Sequence, residues 1–115
     1  MLDTGQTLVA QQAAQVLLGQ PAVYPTEMVR ALARLLAQQP RVVAACLGWI
    51  HDPAGPMPPH YIICLDVEGE MTAIAKETGF VAQQFLGKGE FMDIVQADKS
   101  SLTDYFRSTK PFYER

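Results

Sequence analysis

Two apolar runs decide how this chain folds: Val42-Val43-Ala44-Ala45-Cys46-Leu47-Gly48-Trp49-Ile50-His51 and His60-Tyr61-Ile62-Ile63-Cys64-Leu65-Asp66-Val67. Between them stands Asp52-Pro53-Ala54-Gly55-Pro56-Met57-Pro58-Pro59, whose prolines and glycine favour turns and interrupt strand pairing. The runs predict a hairpin with a long, stiff loop. Centred on Gly55, it pairs Trp49 with Tyr61, Leu47 with Ile63 and Cys46 with Cys64. Side chains alternate across a strand, so Tyr61, Ile63, Leu65 and Val67 share a face with Val43, Ala45, Leu47 and Trp49. That face is the natural seat for helices. The other carries Val42, Cys46, Ile50, Ile62 and Cys64, too apolar a patch to stand in water, and so demands a cover.

Working outward, Gln15 to Pro21 reads as a short strand ended by Gly19 and Pro21. Before it, Thr4 to Gln15 is Gln- and Ala-rich; residues 1–12 are a frayed arm or a short strand. Pro25 suits the first position of a helix whose apolar residues Met28, Val29, Leu32, Leu35 and Leu36 recur at helical spacing. Arg30 and Arg34 fall on its solvated face, and Pro40 ends it. After the hairpin, Met71, Ile74, Thr78, Val81 and Phe85 mark a second helix, with a break allowed at Gly79 and a C-cap at Gly87-Lys88-Gly89. Phe91 to Ala97 is a further strand. Ser101 and Asp104 signal a short helix over residues 102–107, followed by Lys110-Pro111-Phe112-Tyr113-Glu114-Arg115. The expected fold is a single α+β domain over residues 1–115: a β-α-β-β-α-β, split βαβ, ferredoxin-like sandwich with a short C-terminal helix. The same succession with different pairing gives another α+β sandwich.

The chain has 115 residues, with 9 Lys+Arg against 12 Asp+Glu and a net charge of -3. No basic stripe exists for nucleic acid, and no apolar stretch approaches the ~20 residues of a membrane span. Without a signal peptide or a disulfide framework, the protein is expected to be cytoplasmic. Only 18% of residues are charged, which leaves apolar surface for a partner to meet. The aromatic C-terminal segment (Tyr105, Phe106, Phe112, Tyr113) and a second protein surface are the two candidate covers for the hairpin's apolar face.

Little else points to chemistry. His51, Asp52 and His60 flank the loop, but strand parity sends the two histidines to opposite faces, and no spaced metal-ligand cluster occurs. Cys46 and Cys64 are cross-strand neighbours without an adjacent base, which describes free buried thiols. Gly87-Lys88-Gly89 follows a helix instead of opening one, unlike a phosphate loop. Asp66, Glu68 and Glu70 read as solvated carboxylates at a strand end. No catalytic residue, cofactor or metal is expected.

Gln15-Val16-Leu17-Leu18-Gly19-Gln20-Pro21, the Pro25-led helix, Pro40 to Leu47, the strands His60–Val67 and Phe91–Val95, and the closing Lys110-Pro111-Phe112-Tyr113 together resemble the C-terminal domain of the SseB family. This bacterial family is named for enhanced serine sensitivity. The resemblance runs from about residue 13 to the end and implies a bacterial cytoplasmic protein of poorly defined role, with no catalytic residues to carry over. Family members commonly carry a separate N-terminal domain before this one, so the chain is either an excised domain or a short member. The expected function is a non-enzymatic protein-interaction module. Its interface would be Val42, Cys46, Ile50, Ile62, Cys64, Phe112 and Tyr113, and its partner a second copy, the N-terminal domain or another protein. The alternative is a small-ligand, even amino-acid, sensor with a pocket at Trp49, His51, His60 and Tyr61 beside the loop.

Overall fold

The central hairpin pairs as its side-chain pattern dictates: Trp49 faces Tyr61, Leu47 faces Ile63 and Cys46 faces Cys64. The computed structural model describes residues 6–10, 15–98 and 102–115. Its elements are β1 (Gln6–Ala10), β2 (Gln15–Gly19), α1 (Thr26–Ala37), β3 (Val42–His51), β4 (His60–Val67), α2 (Thr72–Gln83), β5 (Met92–Gln96), α3 (Thr103–Arg107) and β6 (Tyr113–Glu114). The α+β class and the β-α-β-β-α-β succession stand. The strands lie in chain order, β1-β2-β3-β4-β5, side by side and not interleaved. Neighbours in sequence thus become neighbours in space, the commonest outcome for short connections. β1 to β4 are antiparallel, and α2 carries the chain over to a parallel β5.

The Gln- and Ala-rich opening is in part a strand, since β1 pairs with β2 from Gln6–Gly19 to Ala10–Gln15. Residues 1–5 and 11–14 of that arm, and the helix signal at Ser101, lie outside the described residues. The aromatic tail forms β6, which places Tyr113 opposite Ala45 and Glu114 opposite Ala44. β2 and β6 therefore share one edge of β3: β2 holds residues 49–51 and β6 holds 44–45.

Two cores sandwich the sheet. On one side, Met28, Val29, Leu32 and Leu36 of α1 and Ile74 and Ala82 of α2 bury against Ala45, Leu47, Ile63, Leu65 and Val67. The helical spacing of the α1 residues gives one apolar stripe, while Arg30 and Arg34 stay exposed opposite it. Gly79 does not interrupt α2, which runs unbroken from Thr72 to Gln83. It is capped at Gln84, so Gly87-Lys88-Gly89 forms the turn into β5 and not the helix cap. Phe85 accordingly falls past the helix end and is exposed, and Ala82 takes the buried position. Gly69 has φ 88 and Gly89 φ 80, left-handed conformations that a side chain would strain.

On the opposite side, Leu18, Ile50, Ile62 and Cys64 bury beneath Leu102 and Phe106. Gly48 makes this close approach possible. A Cβ there would lie 3.1 Å from Ile62 Cγ2 and 3.1 Å from Phe106 Cε1, so the aromatic ring rests almost on the backbone.

Candidate functional site

The apolar sheet face read as an interface does not stand open, because α3 covers it. Ile50, Ile62 and Cys64 are buried and Cys46 half-buried beneath that helix. Val42 is not on this face. A bulge between Val42 and Ala44 shifts the pairing register, and Val42 joins the core beneath α1 and α2. Phe112 and Tyr113 also pack on the helix side, because β6 continues the sheet and Tyr113 takes the face of its partner Ala45. The cover is supplied by Leu102, Tyr105 and Phe106 of the C-terminal segment. A charge at Ile62 would thus disturb folding before any association.

Both thiols lie under α3. Cys46 Sγ is 3.7 Å from the Thr109 carbonyl and 3.9 Å from that of Phe106, tying the sheet to the end of the helix. Burial, with Glu114 and Asp66 nearby, pushes the Cys46 thiol up. Burial pushes the Cys64 thiol up to about 12. Both shifts favour the neutral thiol over the nucleophilic thiolate.

The loop residues Trp49, His51, His60 and Tyr61 do not converge on one pocket. Trp49 and Tyr61 stack edge-to-face with centroids 5.0 Å apart. His60 points to the other side, opposite Ile50 in the pairing, and is 8% exposed. Its Nδ1 lies 2.7 Å from the Pro58 carbonyl and its Nε2 2.7 Å from Asp93 Oδ2. Both partners are acceptors, and only an imidazolium offers a proton to each. Burial opposes that charge, but the Pro58 carbonyl and the Asp93 carboxylate together outweigh it, so the His60 pKa is raised. His60 is a clasp between the proline-rich loop and β5, a role invisible in sequence because Asp93 lies 33 residues away.

Among the described residues, the two tenants of the β3 edge leave Cys46–Gly48 between them without a strand partner on that edge. Gln20 fills the gap: its Nε2 donates to the Leu47 carbonyl at 2.8 Å and to Tyr105 Oη at 3.2 Å. Outside this bridge opens a groove of about 670 Å³, lined by Gln20, Tyr24, Val29, Tyr105, Lys110 and Phe112 among others. Sequence reading missed it, since its walls come from the two segments that leave β2 and enter β6.

Elsewhere the surface carries bare aromatic rings. Phe80 on α2 is 68% exposed, Phe85 just after it 43%, and Phe91 at the entry to β5 41%; Met57 of the loop is exposed as well. Met57 and Phe91 line one depression of about 520 Å³ with Gly79 and Leu86. Phe80 lines another with Leu35 and Val81. Asp66, Glu68 and Glu70 are solvated, although Glu68 meets Arg115 at 3.4 Å and Glu70 accepts the Thr72 N–H at 2.8 Å.

Among the described residues, no helix is long and apolar enough to cross a membrane. No curated protein and no solved structure matches the chain. Residues 10–115 match the family model described as the SseB protein C-terminal domain, covering both cores, α3 and the β6 tail, and the chain belongs to that family.

Proposed function

We propose that this domain is a non-enzymatic protein-interaction module that docks through its α2–β5 side, in the bacterial cytoplasm that its family implies. The observation that carries the reading is the exposure of Phe80, Phe85 and Phe91 on α2 and the segment joining it to β5. Exposed aromatic rings are the side chains most enriched at the centres of protein interfaces. β5 also ends the strand order, so its outer edge has no strand neighbour among the described residues. A partner laid along that edge can cover Phe91 with it. The non-enzymatic part rests on the groups that chemistry would need. Both thiols are held protonated, and both His60 nitrogens are engaged by structural acceptors.

The partner is a protein, and its simplest form is a second copy. Sedimentation across a concentration series tests this. The expected result is reversible association that Phe80→Ser with Phe85→Ser abolishes, with the melting temperature little changed because exposed substitutions cost within about 0.5 kcal/mol each. A wild-type chain that stays monomeric throughout overturns self-association. Association that persists undiminished in the double variant overturns the assigned surface.

A further inference from the structure

The groove beside Gln20 is built differently from the aromatic side, and its polar groups define what it can hold. Acidic side chains within 4 Å of a cation are Glu27 with Arg30, Asp104 with Arg107, Glu68 with Arg115 and Asp93 with His60. Among the described residues, Lys110 therefore has no acidic partner and no carboxylate lines the groove. The Gln20 amide is oriented by the Leu47 carbonyl, which accepts its N–H and leaves Oε1 as a spare acceptor. Tyr105 Oη accepts from Gln20, so its own proton is free to donate. Ser108 and Thr109 have spent theirs on the Tyr105 carbonyl, at 3.0 and 3.1 Å. Tyr24 adds a second half-exposed phenol, and Val29, Pro111 and Phe112 form an apolar wall.

One ammonium, two phenol donors, an apolar wall and no anion describe complementarity to a single negative charge on an apolar body. A single ammonium balances one negative charge and leaves the second charge of a phosphate dianion uncompensated. A cationic ligand would find only neutral acceptors. The volume falls within the ~300–1,000 Å³ range of small-molecule sites. The walls are also held in place before any ligand arrives: Gln20 is fixed at one end, and β6 anchors the Lys110–Phe112 segment at the other, with the Phe112 N–H donating to the Ala45 carbonyl at 2.9 Å. We propose that this groove is a binding site for a small monocarboxylic acid, its carboxylate held by Lys110 with Tyr24 and Tyr105, and its apolar part lying on Val29, Pro111 and Phe112.

The site lies along the β2–β6 side of β3, away from α2 and β5, so its test is independent of the docking surface. Amide NMR spectra recorded during titration with phenylacetate and isobutyrate, to roughly 20 mM so that millimolar dissociation constants register, are the experiment. Saturable shifts are expected at residues 20–29 and 105–112, absent with the uncharged phenylacetamide and isobutyramide. Lys110→Gln, an exposed change whose folding the same spectra verify, is expected to weaken binding by about tenfold, in keeping with the loss of a charge-assisted contact. Absence of shifts in those segments, equal shifts with the amides, or wild-type affinity in Lys110→Gln each overturns the proposal.

Discussion

Replacing Phe106 by alanine tests whether α3 seals the sheet. The ring is buried in a core with Leu18, Ile50, Ile62, Cys64 and Leu102, and it sits within van der Waals reach of the Gly48 backbone. A buried phenylalanine removes about 160 Å² of apolar surface from water, which at ~25 cal/mol per Å² amounts to ~4 kcal/mol. Phe→Ala substitutions in cores cost about 3–5 kcal/mol. α3 is a five-residue helix near the chain end, free to settle into part of the space, so we expect the lower end, about 3 kcal/mol. At ~4 °C per kcal/mol for a domain of this size, the melting temperature falls by roughly 12 °C. Thiol labelling supplies a second readout. Cys64 is 5% exposed and its thiol is pushed up to about 12, so in the wild type it reacts only through opening of the cover. In Phe106→Ala its labelling rate, measured under conditions where the protein remains folded, should rise by at least an order of magnitude. A loss below ~1 kcal/mol together with unchanged Cys64 labelling would refute the seal, for such a small cost marks a surface substitution.

The His60 clasp makes stability depend on pH. Its folded pKa lies above the unfolded value, so the contribution is complete below the ordinary histidine range and is lost as pH rises through the folded pKa. Wild type should therefore melt above Asp93→Asn by a margin that is widest near pH ~6 and shrinks toward pH ~9; a margin independent of pH in that window contradicts the clasp. Gly48→Ala forces a methyl against Ile62 and Phe106 at 3.1 Å from each, and urea unfolding should show a loss of about 1–3 kcal/mol. No loss there would mean that the ring does not rest on the strand.

How far the fold could be read in advance depended on how local each cause is. The hairpin register follows from a turn and a two-residue period, both local, and it pairs Cys46 with Cys64 as read. α1 follows from helical spacing that tertiary packing reinforces. Val42 escaped because a bulge reverses the parity argument from that point outward, and a bulge leaves no mark in side-chain type. The tail was legible as something that docks, since Phe112 and Tyr113 are costly to leave in water, but its face was decided by which strand had a free edge. β1 was obscured by a Gln- and Ala-rich composition, to which pairing with β2 gave a shape that propensity did not. The groove and the His60–Asp93 contact depend on residues brought together over long separations, 85 residues for Gln20 and Tyr105. No spacing rule reaches that far.

The sharing of the β3 edge has a consequence for colloidal behaviour. An open strand edge is a template on which other chains can add, and the two residues of β6 act as its stopper. Besides its two-residue pairing with β3 and the packing of Phe112 and Tyr113, the stopper is held by Phe112 N–H to the Ala45 carbonyl, Arg115 N–H to that of Val43, and the Arg115 side chain to the Pro40 carbonyl and Glu68. So short a strand opens at far lower cost than the cores beneath it. Resistance to strand addition at this end of the β3 edge thus resides in a handful of terminal residues, while most of the folding free energy resides elsewhere, and a change at Glu114 or Arg115, outside the cores, can leave the melting curve nearly intact while shortening the shelf life of a concentrated solution.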